Sequence, residues 1–229
     1  RTAPLFFSMT YEFLELYLPK QCGRSQHTVE SYRDALSLFR RYVLDTLEIS
    51  IGTLTFADCT RECVLGFIEY LAARNNKPAT RNQRLAALKS YLWFAADKDV
   101  SLQSIALEVR RVPQCKVPST EKTVISEDAM AAILKQPPNT KMGLRDRTML
   151  ILMYDSGARV GEILSLKLSD AMITGTNPYV RINGKGDKER VVPITPRTAD
   201  HLSHYISVYH SGNRPKTNLL FFTVIKSTA

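Results

Sequence analysis

The chain has 229 residues, 44% of them hydrophobic, a net charge of +9 at neutral pH and a pI near 9.4. Such a composition excludes a disordered chain. No apolar run approaches the ~20 residues of a membrane span, and Leu5-Phe6-Phe7 is too short for a signal core. The cysteines are Cys22, Cys59, Cys63 and Cys115, with no second Cys or His pair to complete a zinc set. They read as reduced thiols, and no metal is expected. Residues 1–111 carry 15 basic and 12 acidic side chains, and residues 112–229 carry 16 and 10. Both halves are therefore positive, as expected if both touch one polyanion, most simply nucleic acid.

Arg1 to Ser8 reads as a lead-in, followed by an amphipathic turn or two from Tyr11 to Leu18 that Pro19 and Gly23 stop. Ser25 caps a helix whose apolar stripe is Val29, Tyr32, Leu36, Phe39 and Val43. Arg33, Arg40 and Arg41 lie off that stripe. Thr55 to Asp58 forms a turn and cap. Val64, Leu65, Phe67, Ile68 and Leu71 mark a third helix, ending near Asn75-Asn76-Lys77-Pro78. Thr80 and Gln83 make a capping box for a fourth, with stripe Leu85, Leu88, Leu92 and Ala95. Arg81, Arg84 and Lys89 sit on or beside its N-terminal half. A short helix from Ser104 to Val109 completes an all-α bundle over residues 1–111.

Residues 112–123 lie in a basic, proline-containing stretch without periodicity: a linker, either a solvated connector or a strap along a phosphate backbone, with Lys116 as one such contact. Residues 124–229 form a second domain. Ser126 caps a helix that ends before Pro137-Pro138. Leu144 to Tyr154 is a buried helix and Glu162 to Leu168 a shorter one. From Ile173 the period changes. Tyr179 to Asn183 and Glu189 to Ile194 alternate as two strands around Gly184-Lys185-Gly186-Asp187-Lys188, a β-hairpin with a basic tip. Thr195 and Pro196 open a last helix with stripe Ala199, Leu202, Ile206 and Tyr209, and Leu219 to Phe222 is a short apolar strand or buried run. The fold class is thus mainly α with a small antiparallel β-hairpin or sheet.

The residue this pattern leaves over is Arg159, between an apolar run ending in Ser156-Gly157-Ala158 and a second starting at Val160. An arginine so flanked must be paired or must face an anion in a cleft. Taken alone, the stretch favours a structural ion pair with Glu162, one helical turn on.

With the glycine-flanked Lys185 downstream, the stretches Ser156-Gly157-Ala158-Arg159-Val160-Gly161-Glu162-Ile163 and Gly184-Lys185-Gly186-Asp187-Lys188-Glu189-Arg190-Val191-Val192-Pro193-Ile194 resemble the tyrosine recombinases, or phage integrases, most closely the Xer-like and transposon-integrase branch. The resemblance spans nearly all of residues 10–222. It implies a helical, SAM-like core-binding domain joined to an α+β catalytic domain. The two form a clamp on duplex DNA and act as a homotetramer in a bacterial cytoplasm, at the nucleoid. The implied reaction is strand cleavage and rejoining through a 3′-phosphotyrosyl intermediate, without metal or cofactor. By this resemblance Arg159 is the first catalytic arginine, Lys185 the general acid and Glu162 the support of the arginine. Thr28, Arg33, Arg81, Arg84, Lys89, Lys116, Lys188 and Arg190 are implied DNA contacts, each with a solvated or packing role as the plain alternative; Tyr32 is read as core. The chemistry suits these residue types: a phosphorane gathers charge that a guanidinium fork can hold, and the leaving 5′-oxygen needs a proton.

The resemblance also implies a His-x-x-Arg motif, a further His or Trp, and a nucleophilic tyrosine, all farther beyond Lys185 than this chain runs. His210 and Arg214 are four apart rather than three and come too early; His201 and His204 read as surface residues; Tyr205 and Tyr209 are misplaced for nucleophiles. The catalytic domain is therefore expected to be incomplete at its C-terminus and the 229 residues inactive alone. The alternative is a non-catalytic DNA-binding module that occupies recombination sites.

Overall fold

The computed structural model describes residues 3–119, 124–184, 186, 188–211 and 217–222. The chain divides into two compact units, Arg1–Glu121 and Lys122–Ala229.

In the first unit Ser25, in extended conformation, accepts from Thr28 N and starts helix α1, Gln26–Thr46. Thr60 caps α2, Arg61–Ala73, by accepting from Cys63 N at 3.2 Å. Helix α3, Pro78–Lys98, begins with Lys77 at the N-cap and Pro78 in its first turn, so the expected Thr80–Gln83 capping box does not form. The pyrrolidine ring presets helical φ and lacks the N–H that a first-turn residue would leave unpaired, which moves the start upstream of Thr80. Gln83 is left to donate from Nε2 to Ser31 Oγ on α1, at 2.7 Å. Helix α4, Gln103–Arg110, completes the bundle.

The apolar stripes of α1, α2 and α3 meet in one core. Its largest members are aromatic: Phe6, Phe13, Phe39, Phe56, Phe67 and Tyr91 are all fully buried. Tyr32 packs against this core at its margin, 6.0 Å from the Phe13 ring.

Three expectations fail here, for one reason: tertiary burial outweighs local signals. The segment before Ser8 is no lead-in. Phe6 is 0% exposed, with ring centroids 5.1 Å from Phe39, 5.1 Å from Phe56 and 5.3 Å from Tyr91, and its carbonyl accepts from the Tyr91 hydroxyl. Pro19 does not stop the next helical segment either. Glu12–Gln21 winds through it with wide π-type turns, because Phe13, Leu14 and Leu18 are buried against the bundle. The linker, finally, is anchored at its start. Val112 is buried, and Asn82 on α3 clasps Cys115 from both sides, donating from Nδ2 to its carbonyl at 2.8 Å and accepting from its N–H at 2.7 Å.

The second unit opens with α5, Glu127–Leu134, capped by Ser126. Helix α6, Lys141–Ser156, is capped by Thr140 and ends at Gly157, whose φ of 61° is the left-handed cap that glycine adopts without a Cβ penalty. The short α7, Val160–Ser165, follows at once. Strands β1 (Ala171–Met172), β2 (Tyr179–Asn183) and β3 (Glu189–Pro193) form an antiparallel sheet in that order; β1 was not evident in the sequence because two residues carry no alternation. Val180 and Ile182 of β2 are fully buried, and Ile182 pairs with Arg190 and Val180 with Val192. Helix α8, Pro196–Tyr209, capped by Thr195, packs on α6. Leu220 and Phe221 add to the core, where Phe221 lies 4.9 Å from the ring of Tyr205.

Candidate active site

Glycine ends α6, and the next two residues turn the chain so that Arg159 becomes the N-cap of α7. Three residues on, Glu162 points back. Its Oε2 accepts from Arg159 N at 2.8 Å and its Oε1 from Arg159 Nη1 at 3.0 Å. The ion pair expected from spacing therefore exists, yet it uses one nitrogen of the guanidinium, and the Arg159 side chain remains 78% exposed. Glu162 is the opposite: 8% exposed, in the interior of the unit.

A second arginine reaches the same carboxylate. Arg190 donates from Nη1 to Oε1 at 3.1 Å and from Nη2 to Oε2 at 2.7 Å. Each oxygen of Glu162 thus accepts once from each arginine. The Arg190 fork, together with the Arg159 backbone N–H, holds the carboxyl down to about 2, against the opposing pull of burial. Two guanidinium groups around one carboxylate leave a surplus positive charge, and the open guanidinium is that of Arg159. The base of the hairpin closes on this group. A methyl added at Gly184 would stand 3.1 Å from Arg190 Nη1 and 3.4 Å from Glu162 Oε1, so glycine is what lets the backbone approach. Gly184 N donates to the carbonyl of Lys188, which is exposed, at 2.8 Å. Lys185 lies outside the described residues.

The other candidate cations are mostly occupied. Arg33 donates to Glu15 at 2.8 Å. Thr28 shares a hydrogen bond with Ser25 at the start of α1. Arg84 donates from Nη1 to the carbonyl of Ser31 at 2.9 Å, and the Nε atoms of Arg81 and Arg84 are buried without a hydrogen-bond partner. Lys89 donates to the carbonyls of Arg110 and Val112 at 3.0 and 2.6 Å, fastening the linker's start. Lys116 is exposed. His201 and His204 are exposed on α8, and His210 hydrogen-bonds the Leu220 carbonyl at 2.9 Å; Arg214 lies outside the described residues. Tyr205 is fully buried, and burial pushes its hydroxyl up to about 12, the reverse of what a nucleophile needs. Tyr209 is buried beside it, donating to the Lys141 carbonyl at 2.7 Å.

The sequence reading missed two members of this site: Arg190 as a ligand of Glu162, and Gly184 as its contact. The signal was there in the strand alternation. Ile182 and Arg190 are cross-strand partners, so an arginine shares its face with a buried isoleucine and needs a buried counter-charge.

No helix of the described residues is long and apolar enough to cross a membrane, and no group of three or more metal-binding side chains occurs among them. The family model "Phage integrase, N-terminal SAM-like domain" matches residues 12–99, and "Phage integrase family" matches residues 123–227. A putative integrase/recombinase of Sinorhizobium fredii is 31% identical over 86% of this chain and 70% of its own length. The tyrosine recombinase XerC of Myxococcus xanthus is 32% identical over 86% of this chain, which spans 62% of it. Among solved structures, XerH recombinase bound to its difH substrate aligns with a TM-score of 0.62 at 19% identity, covering 92% of this chain and 60% of that one. The Tn1549 transposon integrase in complex with transposon end DNA aligns with 0.63 at 11% identity, covering 93% and 70%. The chain belongs to the phage integrase family of tyrosine recombinases.

Proposed function

We propose that this chain carries the DNA-gripping unit and the first phosphate-holding part of a site-specific recombinase. The observation that carries this reading is the Arg159 guanidinium, anchored on one nitrogen by a buried carboxylate and otherwise open. An always-charged fork whose orientation is fixed in advance is what a metal-free phosphoryl transfer requires. In the proposed step a tyrosine oxygen attacks the scissile phosphorus, giving up its proton to water. The bond from phosphorus to the 5′-oxygen breaks, that oxygen takes a proton from Lys185, and a 3′-phosphotyrosyl ester remains. Arg159 holds two non-bridging oxygens as they gain charge, and Glu162 holds Arg159. Rejoining reverses the step with the exchanged strand, so no metal or nucleotide is consumed.

The tyrosine, in this reading, lies in the part of its relatives that the chain does not span; Tyr205 and Tyr209 are core residues. The partner is double-stranded DNA, gripped by a homotetramer of the full-length protein. Lys116, Lys188 and the N-terminal half of α3 supply sequence-tolerant phosphate contacts. The setting is a bacterial cytoplasm, at the nucleoid. The test uses the full-length protein on a duplex selected by binding from a random pool, then nicked next to the scissile phosphate to trap the intermediate. A covalent protein–DNA adduct is the expected result, formed far more slowly by the Arg159→Ala variant. A wild-type protein that binds the duplex and forms no adduct overturns the reading in favour of a site-occupying module.

A further inference from the structure

We infer that Arg190 is a positioning residue for the proposed cleavage step: it acts on Arg159 through Glu162, and is not a DNA phosphate contact. The inference rests on the recombinase reading above and adds a residue to it.

The geometry assigns this role in three ways. The first is directional. Both terminal nitrogens of Arg190 point at Glu162, at 3.1 and 2.7 Å, in the parallel fork that is the strongest and most orienting mode of arginine–carboxylate pairing. A guanidinium so engaged has its fork turned to the interior and not to a backbone phosphate.

The second is rotational. A carboxylate held by Arg159 alone has one bond per oxygen to restrain its last torsion, which is broad and roughly two-fold, and one of those two bonds is to the exposed side chain that it has to orient. Held by the Arg190 fork as well, its plane is fixed. Oε2 is then directed at Arg159 N and Oε1 at Arg159 Nη1. The direction of the exposed guanidinium is thereby set from β3, 31 residues away in sequence. The third is steric. A Cβ at Gly184 would stand 3.1 Å from Arg190 Nη1 and 3.4 Å from Glu162 Oε1, so the residue beside the fork is one that does not push it off the carboxylate.

Removing Arg190 does not strand a buried charge, because Glu162 keeps its two bonds to Arg159. The Arg190→Gln variant is therefore expected to fold, which its thermal melt reports. Single-turnover cleavage of the nicked duplex is then measured in the full-length protein. Arg190→Gln is expected to cleave on the order of 10- to 100-fold more slowly, the cost of a misdirected catalytic group, while half-saturating DNA changes by less than about threefold. Arg190→Lys, which supplies the charge without the fork, is expected to recover little of the rate.

Two further readouts separate this role from a structural one. Glu162→Gln and Arg190→Gln combined are expected to be no slower than the worse single variant, because they break one relay. A substrate with sulfur at the bridging 5′-position, whose thiolate leaves without needing a proton, is expected not to restore the Arg190→Gln rate. Restoration by that substrate overturns the inference by assigning Arg190 to the proton donor. Additive losses, or a loss confined to DNA affinity, overturn it as well. A wild type without adduct defeats the recombinase reading itself; a reactive wild type matched by an equally fast Arg190→Gln defeats only this inference.

Discussion

Two sets of cationic side chains, one in each unit, are spent differently. In the first, Arg33 is bonded to Glu15, Arg84 to a carbonyl of α1, Lys89 to one carbonyl at the end of α4 and one just past it, and Lys98 to Glu12. These groups fasten helices and termini around an aromatic core. In the second, two arginines converge on one buried carboxylate and one of them remains open. Five N–H donors of which a single one is spent leave a group able to hold an anion. A cation's work is therefore decided by how many of its donors the fold consumes, which its identity in the sequence does not reveal.

The largest effect should come from the core of the first unit. Phe6→Ala removes a fully buried ring that touches four others and is expected to cost about 3–5 kcal/mol. It should lower the first unit's thermal midpoint in calorimetry. A midpoint that does not move would restore the reading of residues 1–8 as a lead-in.

Arg159→Ala comes next. Loss of one preorganised group facing developing charge typically costs a factor of about 10²–10³, so the adduct from the nicked duplex should fall by that amount. Protein melting should be nearly unchanged, because the side chain is mostly exposed. An equal fall in stability would place Arg159 with the structural cations of the first unit.

A smaller effect should appear in pH. The Glu162 carboxyl lies at about 2 in the folded chain against an ordinary 4.5, chiefly because Arg190 donates to its ionised form. A depressed value stabilises the fold above the ordinary one. That contribution is fully present at neutral pH and is lost as pH falls from about 4.5 towards 2, where the unfolded chain binds the proton first. The wild-type midpoint for the second unit should therefore fall more steeply between neutral pH and pH 3 than that of Glu162→Gln. Parallel curves would mean that the three-way pairing does not persist in solution.

Much of this was legible in sequence, and the failures share a cause. Ser25, Ser126 and Thr195 sit at helix starts as their chemistry suggests, and the stripes of α1, α2 and α3 form the first core. Gly157 and Arg159 stood out because a left-handed cap and a lone arginine interrupt an apolar run. Phe6, Pro19 and the anchored linker were misread because each is decided by contacts distant in sequence. Phe6 binds Tyr91, and Asn82 binds Cys115. Arg190 was incompletely read for the same reason: next to a basic hairpin tip it looks like one more phosphate contact, and only the strand register places it beside Ile182, with its fork on Glu162.

The smallest prediction tests the comparison most directly. Arg33 and Lys116 were both expected at the DNA. Arg33 is paired with Glu15, both partners about half exposed, and such a surface pair contributes about 0–1 kcal/mol. Arg33→Ala should therefore change stability by no more than that. It should also leave the salt dependence of DNA binding close to wild type, since a guanidinium already matched by Glu15 neutralises no phosphate. Lys116→Ala should instead reduce the magnitude of the log–log salt slope by about one, the signature of one lost phosphate contact. The reverse result, a reduced slope for Arg33→Ala alone, would show that the Arg33–Glu15 pair opens when DNA arrives. The occupied cations of the first unit would then be a reserve that binding releases, and the contrast with Arg159 would be one of timing and not of kind.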